Sequence, residues 1–151
     1  MSRQWNLAMA DLNKDQILDW LRKKPYFGNE HDGVFDLALG CAGGRVLDLK
    51  PYQGEDCEEF WGIKASVNIW FNPTREGPGC DSQGAIYRLA FDALADFSHD
   101  LVFHVLDVGI LLRKGGRIIV NPEVFQLNEL NRMLEPPFWL ASQPCHLLKR
   151  E

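Results

Sequence analysis

Leu111-Leu112-Arg113-Lys114-Gly115-Gly116-Arg117-Ile118-Ile119-Val120 is the stretch on which the fold turns. Paired glycines between two apolar runs read as the tight turn of a β-hairpin, because a type I′ turn needs positive φ at both central residues. Taken without that turn, the segment reads as a late strand of a cofactor-binding domain. The hairpin reading makes Arg113, Lys114 and Arg117 exposed charge near a turn. The other makes them candidates for ligand contact, so the rest of the chain has to decide.

Upstream, Leu101–Leu106 and Ile110–Leu112 are apolar, with Asp107 and Gly109 marking a turn between them. Further back lies the clearest alternation in the chain: Ala65, Val67, Ile69 and Phe71 fall on one face, Ser66, Asn68 and Trp70 on the other. Period-two alternation predicts a strand. Trp70 then points away from the core, either toward a partner or under a helix on that second sheet face. Val34–Leu39 and Arg45–Leu49 flank Gly40-Cys41-Ala42-Gly43-Gly44 and predict another hairpin, and Trp5–Met9 suits a first strand. Gln53–Glu59 reads as a polar, acidic connection, and Glu76–Ser82 as a loop by composition.

Helical spacing appears in three places. Asn13 with Gln16 three residues on forms a capping-box start, and Ile17, Leu18, Trp20 and Leu21 make a stripe that Arg22, Lys23, Lys24 and Pro25 bring to an end, predicting a helix over 14–24. Ile86, Leu89, Ala90, Ala93, Leu94 and Phe97 predict a second over 83–97. Val124, Leu127, Leu130 and Leu134 predict a third over 123–134, broken by Pro136-Pro137. Short turns between neighbouring strands imply antiparallel pairing. The expected fold is α+β: a single domain over 1–151, its mainly antiparallel sheet built from hairpins, with helices packed mostly on one face.

A chain of 151 residues can bury a sizeable core. Its net charge of -5 argues against nucleic acid and anionic membranes, which favour basic surfaces. No apolar run reaches the ~20 residues needed to cross a bilayer, and Met1-Ser2-Arg3-Gln4-Trp5 lacks the layout of a secretory signal. Cys41, Cys57, Cys80 and Cys145 show no metal-ligand spacing, so a reduced, cytoplasmic chain is expected.

Catalytic patterns are sparse. His31, His99, His104 and His146 are scattered, and His104 within Phe103-His104-Val105 reads as a strand-face residue rather than a base. Cys145-His146 are neighbours in sequence, which does not create the spatial pairing that activates a thiol. Ser82, Ser98 and Ser142 have no nucleophile-elbow context. The stronger candidate is an interaction surface: Glu55, Asp56, Glu58 and Glu59 beside Phe60 and Trp61, with Trp70 nearby. Charge interleaved with aromatics is the usual make-up of a protein-binding hot spot.

Two resemblances bear on function. Phe35–Arg45 together with Leu111–Val120 resembles the glycine-rich loop and a later strand of S-adenosylmethionine-dependent methyltransferases, which gives the alternative reading of a divergent enzyme. That site needs a strand, the loop, then a helix whose N-terminus faces the ligand. Arg45–Lys50 is short and β-like before Pro51. More of the chain resembles the Sit-type immunity proteins of bacterial toxin systems. The elements are a strand–loop–helix at Trp5–Leu21, a strand-like Phe60–Phe71, a helix near Ala85–Leu94 and a hairpin at Asp107–Asn121. That resemblance implies a non-enzymatic protein that binds and neutralises a cognate toxin in the producing cell, without catalysis or cofactor, and residue spacing offers no metal site. It carries over no binding residues, so Glu55, Asp56, Glu58, Glu59, Trp61 and Trp70 stand on composition alone. With no repeated βα units upstream, Gly115-Gly116 is best read as a hairpin turn.

Overall fold

The computed structural model describes residues 4–37, 40–73, 82–106 and 108–121. In chain order the elements are β1 (Trp5–Met9), α1 (Lys14–Arg22), β2 (Phe27–His31), β3 (Val34–Leu37), β4 (Ala42–Asp48), α2 (Pro51–Trp61), β5 (Val67–Pro73), α3 (Ser82–Asp96), β6 (Leu101–Val105), β7 (Val108–Lys114) and β8 (Arg117–Val120). The strands form one eight-stranded sheet in the order β2-β3-β4-β5-β1-β6-β7-β8. Every described pairing is antiparallel. The chain is thus a single α+β domain with three helices among the described residues.

The deciding stretch is a hairpin. Lys114 pairs with Arg117, and Gly115 and Gly116 take φ of 56° and 80°, as a two-residue type I′ turn requires. A second turn of this kind joins β2 to β3, with His31 opposite Val34 and Asp32 and Gly33 at φ of 52° and 83°. β2 went unpredicted because Phe27-Gly28-Asn29-Glu30-His31 has little apolar content, yet Asp32-Gly33 was a legible turn signal.

α1 starts as expected. Asn13 Oδ1 accepts from Gln16 N–H and Gln16 Oε1 accepts from Asn13 N–H, each at 2.9 Å. It buries Ile17, Leu18 and Leu21 and ends at Arg22, slightly short of the expected residue 24. α3 spans Ser82–Asp96 and buries Ile86, Leu89, Ala90, Phe91, Ala93 and Leu94. These two helices cover one sheet face, meeting Leu7, Met9, Phe35, Val46, Ile69, Phe71, Phe103 and Leu111 in the main core. Their C-terminal ends are tied together: Trp20 Nε1 donates to Asp96 at 2.8 Å, Lys24 pairs with Asp92 and Asp96, and Tyr26 donates to Asp92. Burial and the Asp92 carboxylate push the Tyr26 hydroxyl well above its ordinary value.

Two expectations are corrected here. Gln53–Glu59 is not a connection but the middle of α2, and Phe60-Trp61 closes that helix rather than opening a strand. The signals were present: Pro51 at the first turn, Gln53 Oε1 accepting from Lys50 N–H at 2.8 Å, and Gly62 at φ 79° beyond the end. What hid the helix is its thin apolar stripe. It packs through Cys57, Phe60 and Trp61 and through Gly54, where a Cβ would lie 2.6 Å from the Ala65 carbonyl oxygen. α2 covers the other sheet face, over Ala8, Val102, Leu112 and Ile119.

Arg113 is also not exposed. It is 6% accessible and donates to the carbonyl oxygens of Leu94 (2.9 Å), His99 (3.0 Å) and Phe97. A helix end leaves carbonyls without intrahelical partners, and a cation there also suits the helix dipole. Lys114 and Arg117 are exposed as expected. Cys41 is disulfide-bonded while Cys57 is a free thiol, so the chain is not wholly reduced. The helix expected over 123–134, the break at Pro136-Pro137, Cys145-His146 and all of the loop expected over Glu76–Ser82 except Ser82, which begins α3, lie outside the described residues. No described helix is long and apolar enough to cross a membrane.

Candidate functional site

Antiparallel register lines up side chains across strands, since directly paired residues point to the same face. On the face away from α1 and α3, one row runs Val34, Arg45, Trp70, Asn6, His104 across β3, β4, β5, β1 and β6. The next row runs Leu47, Asn68, Ala8, Val102, Leu112, Ile119. α2 sits on the Ala8–Ile119 half of the second row. The β3–β5 half carries no described helix, and Val34 and Leu47 are 46% and 42% exposed there. Exposed β-branched and aliphatic side chains clustered on a sheet face mark a contact surface more often than isolated ones do.

Two clefts result. The first, about 420 Å³, lies between α2 and the sheet and is lined by Asn6, Asn68, His104, Asp56, Phe60 and Trp61, among others. The second, about 620 Å³, lies on the bare half and includes Val34, Asp36, Arg45, Leu47 and Trp70. Trp61 is the hinge of the first: its ring centroid lies 4.6 Å from Phe60 and 5.0 Å from His104. Asn68 Nδ2 donates to Asn6 Oδ1 at 3.0 Å, while Asn68 Oδ1 is buried without a donor among the described residues.

The His104 ring is fixed by its Nδ1, which lies 2.8 Å from the Leu106 carbonyl oxygen. A carbonyl only accepts, so Nδ1 carries the proton and Nε2 of the neutral ring keeps its lone pair. Burial pulls the His104 pKa below its ordinary value. The neutral ring is therefore favoured in the fold. It stabilises the protein fully above the unfolded-state pKa, and that contribution is lost as pH falls from about 6.5 through the folded value. Urea midpoints are expected to drop less on acidification across this window in His104→Gln than in the natural sequence. Parallel pH profiles for the two would remove His104 as the cause. Burial also pushes the Cys57 thiol up, against a hydrogen bond from the Ala65 backbone, which leaves it a poor nucleophile.

The residues expected at the site are only partly brought together. Glu55, Asp56, Glu58 and Glu59 are all exposed on α2, and of the four Asp56 alone lines the cleft between α2 and the sheet. Trp61 is 9% exposed and holds α2 to the sheet, so it is not the free surface anchor its sequence context suggested. Trp70 is half-buried, with no helix over it among the described residues, and lines the second cleft rather than the first. Sequence reasoning missed Asn6, Asn68 and His104 as neighbours, because their alignment depends on β1 inserting between β5 and β6. Among the described residues no cluster of three His, Cys, Asp or Glu side chains converges as a metal site would.

The glycine-rich stretch does not lead into a helix N-terminus. Gly43 and Gly44 lie within β4, paired antiparallel with β3 and β5, and Gly44 permits a close approach, since a Cβ there would lie 2.2 Å from the Trp70 carbonyl oxygen. The strand–loop–helix arrangement of a methyltransferase site is absent there. Comparisons with protein-family models, with curated proteins and with solved structures gave no match to this chain.

Proposed function

We propose that this chain is an immunity protein: it binds a cognate bacterial toxin of the producing cell and neutralises it by occupancy rather than by chemistry. The observation that carries this reading is the pairing of two unsatisfied surfaces on one side of the sheet. Asp19, Glu30, Asp92 and Asp96, on or beside the face covered by α1 and α3, are held in ion pairs, whereas Asp15 in the first turn of α1 is not paired among the described residues. Glu55, Asp56, Glu58 and Glu59 on α2 have no ion-pair partner among the described residues. Beside them lies the bare sheet face with Val34, Leu47 and the half-buried Trp70. Free carboxylates steer a basic partner, and an adjacent aromatic and aliphatic floor supplies the desolvated contact that holds it.

Co-expression tests this directly. The protein is expected to restore growth to cells making the toxin encoded beside it. Undiminished killing with the protein present and soluble would sink the proposal.

A further inference from the structure

We propose that the cleft between α2 and the sheet receives a guanidinium group, the side chain of an arginine presented by the protein partner. The inference rests on the partner being a protein, as proposed above, and names the chemistry of its central contact.

Three features of the cleft point to a planar cation. The first is charge. Asp56 is the one charged residue among those lining it, no Lys or Arg lines it, and Asp56 has no ion-pair partner among the described residues. The second is an excess of acceptors. Asn68 Oδ1 is buried without a donor, and Nδ1 of His104 faces the Leu106 carbonyl, leaving Nε2 as an acceptor. A guanidinium brings five N–H donors and no acceptor, which is the complement of that set. Asn68 lines the cleft, its Nδ2 is engaged by Asn6 Oδ1, and its Oδ1 is the buried acceptor there that a ligand N–H would satisfy.

The third feature is shape. Half-buried Phe60, backed by the buried Trp61, gives the cleft an aromatic side, and its volume of about 420 Å³ is ample for an arginine side chain. A flat, weakly hydrated guanidinium stacks on an aromatic face while its edge reaches carboxylate and amide oxygens. An ammonium is a compact, strongly hydrated charge that satisfies one acceptor direction at a time. The cleft therefore favours arginine over lysine.

The probe is N-acetyl-arginine methylamide, titrated into the full-length protein with NMR observation of the His104 ring and the Trp61 indole. Saturable shifts at both rings are expected, with a dissociation constant on the order of 10 mM for so small a ligand. N-acetyl-lysine methylamide is expected to bind at least about fivefold more weakly. Asp56→Asn should weaken arginine binding about tenfold, and Asn68→Asp, which adds a carboxylate to the floor, should tighten it. Equal shifts from arginine and lysine, or shifts confined to the exposed acids of α2, would overturn the inference, as would the absence of saturation near ~100 mM. Toxin neutralisation is read separately. Protection without arginine binding removes only this inference, whereas arginine binding without protection removes the immunity reading and leaves a guanidinium site.

Discussion

Arg113→Ala is expected to lower the unfolding free energy by about 3 kcal/mol, because it strips the donors from three backbone carbonyls at once. The carbonyls of Leu94, Phe97 and His99 lie where α3 ends and the chain turns toward β6, and the guanidinium reaches them from β7. Alanine cannot replace those bonds, and the space is too enclosed for water to do so freely, since Arg113 is buried. With a urea slope of ~2 kcal/mol/M for a domain of this size, the midpoint should fall by about 1.5 M. Arg113→Lys keeps the charge at the helix C-terminus but loses the planar fork, so an intermediate loss is expected. A midpoint for Arg113→Ala within about 0.3 M of the natural sequence would show that the three contacts contribute little.

The second large effect concerns association. Reversing Glu55, Asp56, Glu58 and Glu59 together to lysine is expected to slow binding to the proposed toxin partner by more than about tenfold at low salt. The difference should shrink as ionic strength rises, because exposed charges are screened over about 8 Å at physiological salt. All four side chains are exposed and lack ion-pair partners among the described residues, so the fold should survive the change. Lysines at positions 58 and 59 even suit the C-terminal end of the α2 dipole. Stopped-flow association rates, with urea midpoints as a check on folding, decide the matter. An unchanged on-rate across salt would remove α2 from the contact surface.

What could be read in advance follows the reach of the signals. The capping box of α1 is complete within four consecutive residues, Asn13 to Gln16, so it could be seen without tertiary information. The Gly115-Gly116 turn and the alternation of β5 are equally local. α2 escaped because its buried face is small residues and two terminal aromatics. A helix that packs against Ala8, Ala10 and Ala65 needs no broad apolar stripe. Arg113 escaped for the opposite reason. Its neighbours Lys114 and Arg117 are exposed, and nothing in the string Arg113-Lys114-Gly115-Gly116-Arg117 says which cation turns inward.

The candidate site shows the same division. Glu55, Asp56, Glu58 and Glu59 were legible as a charged run, and Trp70 as a residue opposite the core face. Asn6, Asn68 and His104 were not legible as a group, since they come from β1, β5 and β6 and meet only because β1 lies between the other two. Sequence alone determined the local elements with short-range stop and start signals, the α+β class and the antiparallel hairpins, because those depend on backbone preferences within a few residues. Tertiary structure decided the strand order, the side of the sheet that α2 covers and the row that forms the cleft. Those depend on which distant apolar faces can be buried together, and no local preference encodes that choice.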